Sequence, residues 1–177
     1  MRKLIKNLDK NLFNNNIKLL PIIFLVLFSR FIPHPPNFTP IISIAILSPL
    51  FFNKNNVALT LVIVGMFISD FFIGFYQNMI TTYLVIILIY YFSKFYFNEK
   101  TISIKNIIFG SIFSALIFYL LTNFSLWTFG DLYPKNFEGL IMCYVMAIPF
   151  FTNTLISTIL FTGAAYTSSI YINKKTA

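Results

Sequence analysis

Apolar residues run through this chain in long blocks separated by short polar or turn-forming breaks, with neither the strict alternation of a half-buried strand nor the one-sided stripe of a surface helix. Six such blocks, roughly 19–32, 40–52, 57–73, 79–96, 104–122 and 151–172, predict an all-α integral membrane bundle of six transmembrane helices. The first two are short against the ~20 residues that a span needs, which local thinning of the bilayer or a position inside the bundle accommodates. The last stretch, residues 140–172, would reach about 50 Å as one helix, well beyond a ~30 Å hydrocarbon core. Pro149 interrupts it. The pattern therefore predicts a short extra helix over 139–149 before a last span over 151–172.

Ahead of the first block, residues 1–16 form a basic leader that places Leu4, Ile5, Leu8 and Leu12 on one face among lysines. It reads as a surface-lying amphipathic helix or as a solvated basic tail, and residues 17–177 as a single membrane domain. A signal peptide is the competing reading of the first block. The long polar leader, Arg30 at the end of the run and the lack of a small-x-small cleavage site argue against it.

Composition sharpens this picture: 58% of the 177 residues are apolar, 23 are Phe, and only 10% are charged. So few charges cannot cover a water-facing surface, which excludes a soluble enzyme and a free nucleic-acid-binding domain. The lone Cys143 excludes an internal disulfide and suggests no metal cage.

Charge fixes the orientation. Arg2, Lys3, Lys6, Lys10, Lys18, Lys54, Lys94, Lys100, Lys105, Lys174 and Lys175 fall on one side of the six-span arrangement and only Arg30 and Lys135 on the other, eleven against two of the 13 basic residues. Basic loops stay on the cytoplasmic side, so both termini are expected in the cytoplasm and the protein in the cytoplasmic membrane, in contact with anionic lipid.

With that orientation, the unusual polar residues gather at the outer face. Arg30, His34 and Asn37 lie in or beside the first outer loop, Asp70 lies one turn from the outer end of span three, and Asn123, Trp127, Asp131, Tyr133, Lys135 and Glu138 fill the last outer loop. The segment SRFIPHPPNFTP, residues 29–40, carries Pro33, Pro35, Pro36 and Pro40. Such a loop is stiff and extended, able to hold Arg30 and His34 over a pocket or to serve as a tight connector. His34 has no second His or Cys at ligand spacing, so no metal is expected. Asp70 follows twelve uncharged residues, and an acid at that depth demands a partner, for which Arg30 is the obvious one. Trp127 and Tyr133 suit either an interfacial aromatic belt or the wall of an organic-ligand site. Gly110, Ser111, Ser114 and Ala115 permit close helix packing on span five. There is no phosphate-binding Gly-rich loop, no His-Glu-x-x-His and no nucleophile elbow, so neither ATP hydrolysis nor an intramembrane hydrolase is expected.

Taken together, SRFIPHPPNFTP (29–40), SD with FIG (69–70, 72–74), TNFSLW (122–127), DLYPKNFEGL (131–140) and CYVMAIPFFTNTL (143–155) resemble domain-of-unknown-function family 6580, whose members carry a transport-protein label. That family is similar to the substrate-capture subunits, or S components, of energy-coupling-factor vitamin transporters. The resemblance implies six helices, an outward-facing pocket roofed by the loop between helices one and two, a small vitamin-like solute and no bound cofactor. It also implies an energy-coupling membrane partner with its own ATPases. One departure is that the first span, LLPIIFLVLFSRF, lacks the alanines at four-residue spacing through which such subunits commonly dock.

On this reading Arg30 and His34 contact anionic or acceptor groups, Asp70 accepts from the ligand or orients Arg30, Trp127 and Tyr133 stack on it, and Asn123 and Asn153 supply amide hydrogen bonds. Asn37, Lys135 and Glu138 complete the ligand cluster, and no residue is expected to be catalytic. A membrane enzyme or assembly factor acting on a lipid-borne substrate, and a structural subunit without ligand, are the alternatives. The charge count makes a direct prediction: reporter tags at Asn56 and at the C-terminus read cytoplasm and one within 134–137 reads outside, and an outside C-terminus breaks the arrangement.

Overall fold

The structure, a computed structural model, describes residues 28–51, 57–99 and 103–176. The basic leader and most of the first apolar block lie outside the described residues. Residues 28–31 are helical. Five helices follow: α1 (Ile41–Phe51), α2 (Val57–Ile73), α3 (Met79–Glu99), α4 (Ile104–Phe129) and α5 (Phe137–Thr176). Among the described residues there is no strand.

Among the described residues three segments are long and apolar enough to cross a membrane, Met79–Phe97, Ile104–Phe129 and Phe137–Ser168, where the sequence predicts six over the whole chain. The helices α1 and α2 are apolar but shorter, at 11 and 17 residues, than the ~20 that a span needs. The expected break before the last span is also corrected. Residues 137–176 form one continuous helix of 40 residues with Pro149 inside it. A proline there removes one backbone donor and leaves the Val145 carbonyl without its partner four residues on, an interruption that membrane helices tolerate. The Tyr119 hydroxyl donates to the Tyr144 carbonyl at 2.7 Å, just before the proline.

Local chemistry sets the helix ends. Ser103 caps α4, its Oγ accepting from the Asn106 amide at 3.3 Å. Asn136 caps α5, its Oδ1 accepting from the Gly139 amide at 2.8 Å. At Gly74, φ +113° ends α2 in a conformation that side chains rarely adopt. Asn37, at φ 63°, turns the proline segment back toward α1.

Small and hydroxyl-bearing residues let the helices approach: Ala45, Ala58, Ser69, Ser93, Ser111, Ser114 and Ala115 are all buried. Two of the hydroxyls cross between helices, Ser43 to the Thr158 carbonyl at 3.0 Å and Ser93 to the Ile46 carbonyl at 2.5 Å. The packing stripe on α4 is thus spent within the bundle, with Gly110 against Phe97. Around Ile46, Met66, Ile86, Ile89 and Ile107 lies the apolar core. Large residues such as Leu84, Phe95, Phe109 and Val145 face outward, as a lipid-facing surface requires.

The connection between α4 and α5 is held by one close approach. A methyl group added to Gly139 would lie 2.0 Å from the Pro134 carbonyl oxygen, backbone against backbone. Gly139→Ala should therefore cost about 1–3 kcal/mol through overpacking and lower the melting temperature in detergent. An unchanged melting temperature would show that the loop does not rest on the start of α5.

Candidate functional site

A recess opens at the end of the bundle where the proline segment and the 74–78 and 130–136 connections lie. Its origin is a mismatch in helix starts. The Ser93 bond to Ile46 sets these residues level, about 21 Å along α3 but only about 7 Å along α1, so α1 begins about 13 Å deeper than α3. The proline segment fills only part of the space above it. A cavity of about 250 Å³ remains, floored by Ile41 and Ile42, walled by Met66, Thr82, Ile86, Phe118 and Thr154, and rimmed by Arg30, His34, Asn37, Thr39 and Tyr76. A second cavity of about 270 Å³ shares Asn37, Tyr76, Thr82, Phe118 and Thr154 with the first. It extends the recess between α4 and α5, past Asn78, Tyr119, Thr122, Asn123, Phe150 and Phe151.

Beneath the rim lies a charged cluster. Arg30 pairs through Nη2 with Asp70 Oδ1, the two side chains being 14% and 0% exposed. Its Nη1 donates to Ser69 Oγ at 2.9 Å and to the Met66 carbonyl at 3.3 Å. The other Asp70 oxygen accepts from the Tyr83 hydroxyl at 2.5 Å. The cluster thereby ties the helical residues 28–31, α2 and α3 together. A carboxylate with no exposure survives in such a place only because both oxygens are engaged.

Uncharged hydrogen-bonding groups make up most of the polar lining. Asn78 donates to the Thr122 carbonyl at 2.8 Å and accepts from Ser125 at 2.8 Å, stitching the 74–78 connection to α4. Asn123 donates to the Tyr119 carbonyl at 2.7 Å, leaving its amide oxygen unspent by that bond. Burial pushes the Tyr76 phenol above its ordinary pKa, with a hydrogen bond to Thr82 acting in the opposite direction, so the group stays neutral. His34 is exposed at the rim, its Nδ1 lying 2.8 Å from the Pro35 carbonyl.

The sequence-selected residues divide into two groups. Arg30, His34, Asn37 and Asn123 line the recess, with Asp70 directly behind Arg30. Asn153 instead donates to the Pro36 carbonyl at 3.0 Å, holding the proline segment on α5, where Phe38 also meets Phe161 edge-on at 5.9 Å. Trp127, Tyr133, Lys135 and Glu138 line neither cavity. Trp127 donates to the Pro134 carbonyl at 2.9 Å. Lys135 donates to the Trp127 and Gly130 carbonyls at the end of α4, and Glu138 lies in the first turn of α5. Each charge sits where a helix dipole favours its sign. Tyr76, Asn78, Thr82 and Thr154 line the recess without having been singled out in the sequence. As isolated neutral residues in or beside apolar runs they carry no signal of their own, and only the rotation of each helix brings them together. Among the described residues, no group of three His, Cys, Asp or Glu side chains could hold a metal ion.

The chain matches the family of unknown function DUF6580 over residues 10–177 and belongs to it. No curated protein and no solved structure matches it.

The geometry of the charged cluster predicts its energetics. Arg30→Ala and Asp70→Ala should each cost about 3–5 kcal/mol, because either one strands a charge in a poorly hydrated place. The double variant should lose less than the sum of the two. Strict additivity of melting-temperature losses would mean that the pair does not form.

Proposed function

We propose that this family member captures a small organic solute in the recess for uptake across the membrane, as a non-enzymatic subunit similar to the S components of energy-coupling-factor transporters. The observation that supports this most is the recess itself. All five helices wall it, neutral hydrogen-bonding groups and aromatic rings line it, and the apolar core closes it below, which is the composition of a small-molecule site. In this reading its mouth faces outside the cell, the chain crosses the cytoplasmic membrane several times and both termini lie inside, a reading that the eleven-to-two distribution of basic residues supports. The chain binds and orients the solute, and a separate membrane complex with ATPases supplies the energy. No bound cofactor and no nucleic acid takes part.

In this reading Asn37, Thr82, Asn123 and Thr154 provide hydrogen bonds, and Phe118 and Phe151 provide flat apolar contact. Arg30 and His34 border the mouth, while Asn153 and the Trp127–Lys135 connection hold the frame around it.

Native mass spectrometry of the chain purified in mild detergent should find a retained small molecule, and cells expressing the gene should accumulate that molecule. Thr82→Val with Thr154→Val keeps the volume but removes two hydroxyls at about 0.5–1.5 kcal/mol each, so it should weaken binding about 10-fold with little loss of stability. Chemical conversion of a lipid by the purified chain would favour an enzyme instead. A chain that retains nothing, in cells that take up nothing from a medium extract, would leave only a structural role.

A further inference from the structure

Among the described residues lining the two cavities, Arg30 alone bears a permanent charge, and Asp70 balances it. Its guanidinium is shared among Asp70, Ser69 and the Met66 carbonyl. A guanidinium has five N–H donors, so a solute can still meet the ones left over, but Asp70, with no solvent exposure and the Tyr83 hydroxyl as its other partner, already balances the positive charge. An anion there would add a second negative charge beside a single cation, and its desolvation would go uncompensated. A cationic solute fares no better. Among the described residues no acidic side chain lines either cavity, and the one acid behind the wall is already neutralised.

What the recess does offer is carboxamide and hydroxyl chemistry beside rings. Asn37, Asn123, Thr82, Thr154 and Tyr76 can each exchange a hydrogen bond. On the α4–α5 side Tyr119 and Phe151 lie 4.7 Å apart and form an aromatic wall. Dipolar groups beside an aromatic wall match a planar molecule whose edge carries ring nitrogens, amides or hydroxyls.

We infer that the solute is an electroneutral, polar, one- or two-ring heterocycle, excluded from carrying net charge by the self-compensated Arg30–Asp70 pair. This rests on the capture reading above and narrows it to a substrate class.

The test uses the full chain in detergent and a small-molecule extract of growth medium passed over anion- and cation-exchange resins at neutral pH. This yields an anion-retained, a cation-retained and an unretained neutral fraction. The purified protein, stripped of any bound molecule by dialysis, is incubated with each fraction and weighed by native mass spectrometry. Adducts from the neutral fraction alone are expected, with an affinity that changes less than about 2-fold between low and high salt, because no net charge is there to be screened. Adducts from either retained fraction would overturn the inference on charge and leave the capture reading standing. No adduct from any fraction would overturn the capture reading, and this inference with it.

Discussion

The buried ion pair between Arg30 and Asp70, completed by the Tyr83 hydroxyl, is the interaction on which the rest of this structure depends. An acid at 0% exposure in an otherwise apolar helix is tolerated only when its charge is met, so the three residues must come together for the bundle to form. They belong to three separate stretches: the helical residues before the proline segment, α2 and α3. Their meeting fixes where the proline segment begins. At its far end Asn153 and Phe161 anchor the same segment on α5.

The recess follows from that anchoring. Since α1 begins deep in the bundle and the chain above it is a proline-stiffened segment instead of a helix, the space that another two turns of helix would fill stays partly open. Hydroxyl and carboxamide groups on α3, α4 and α5 face this space. Lower down, where α1 is present, the same kinds of residue are used up in helix contacts, as Ser43 and Ser93 show. One helix start therefore separates a packed half from a hollow half.

Much of this was legible in the sequence because charge and proline are loud signals in an apolar chain. A single acid after twelve uncharged residues announces a partner, and Arg30 was the only basic residue at the matching depth. The four prolines of residues 29–40 announce a stiff segment. Quieter features were not legible. Pro149 reads as a break, yet α5 runs through it: the proline frees only the Val145 carbonyl, which a membrane helix tolerates. The Trp127, Lys135 and Glu138 cluster reads as ligand chemistry because it is dense and polar, and the structure adds a helix-end role for it that the sequence pattern does not separate from ligand contact. Among the described residues the span count was overstated for a related reason. Hydropathy marks α1 and α2 as apolar, but says nothing about whether a short apolar helix crosses the bilayer or sits among its neighbours.

Hydrogen–deuterium exchange of wild type and Asp70→Leu tests the central claim most directly. If the Arg30 pair holds the proline segment over the recess, the variant should exchange faster across 30–40 and 74–78 together, while α4 and the first half of α5, joined by their own hydrogen bonds, keep their wild-type protection. Faster exchange confined to the turn around residue 70, or spread equally over α4 and α5, would contradict the account.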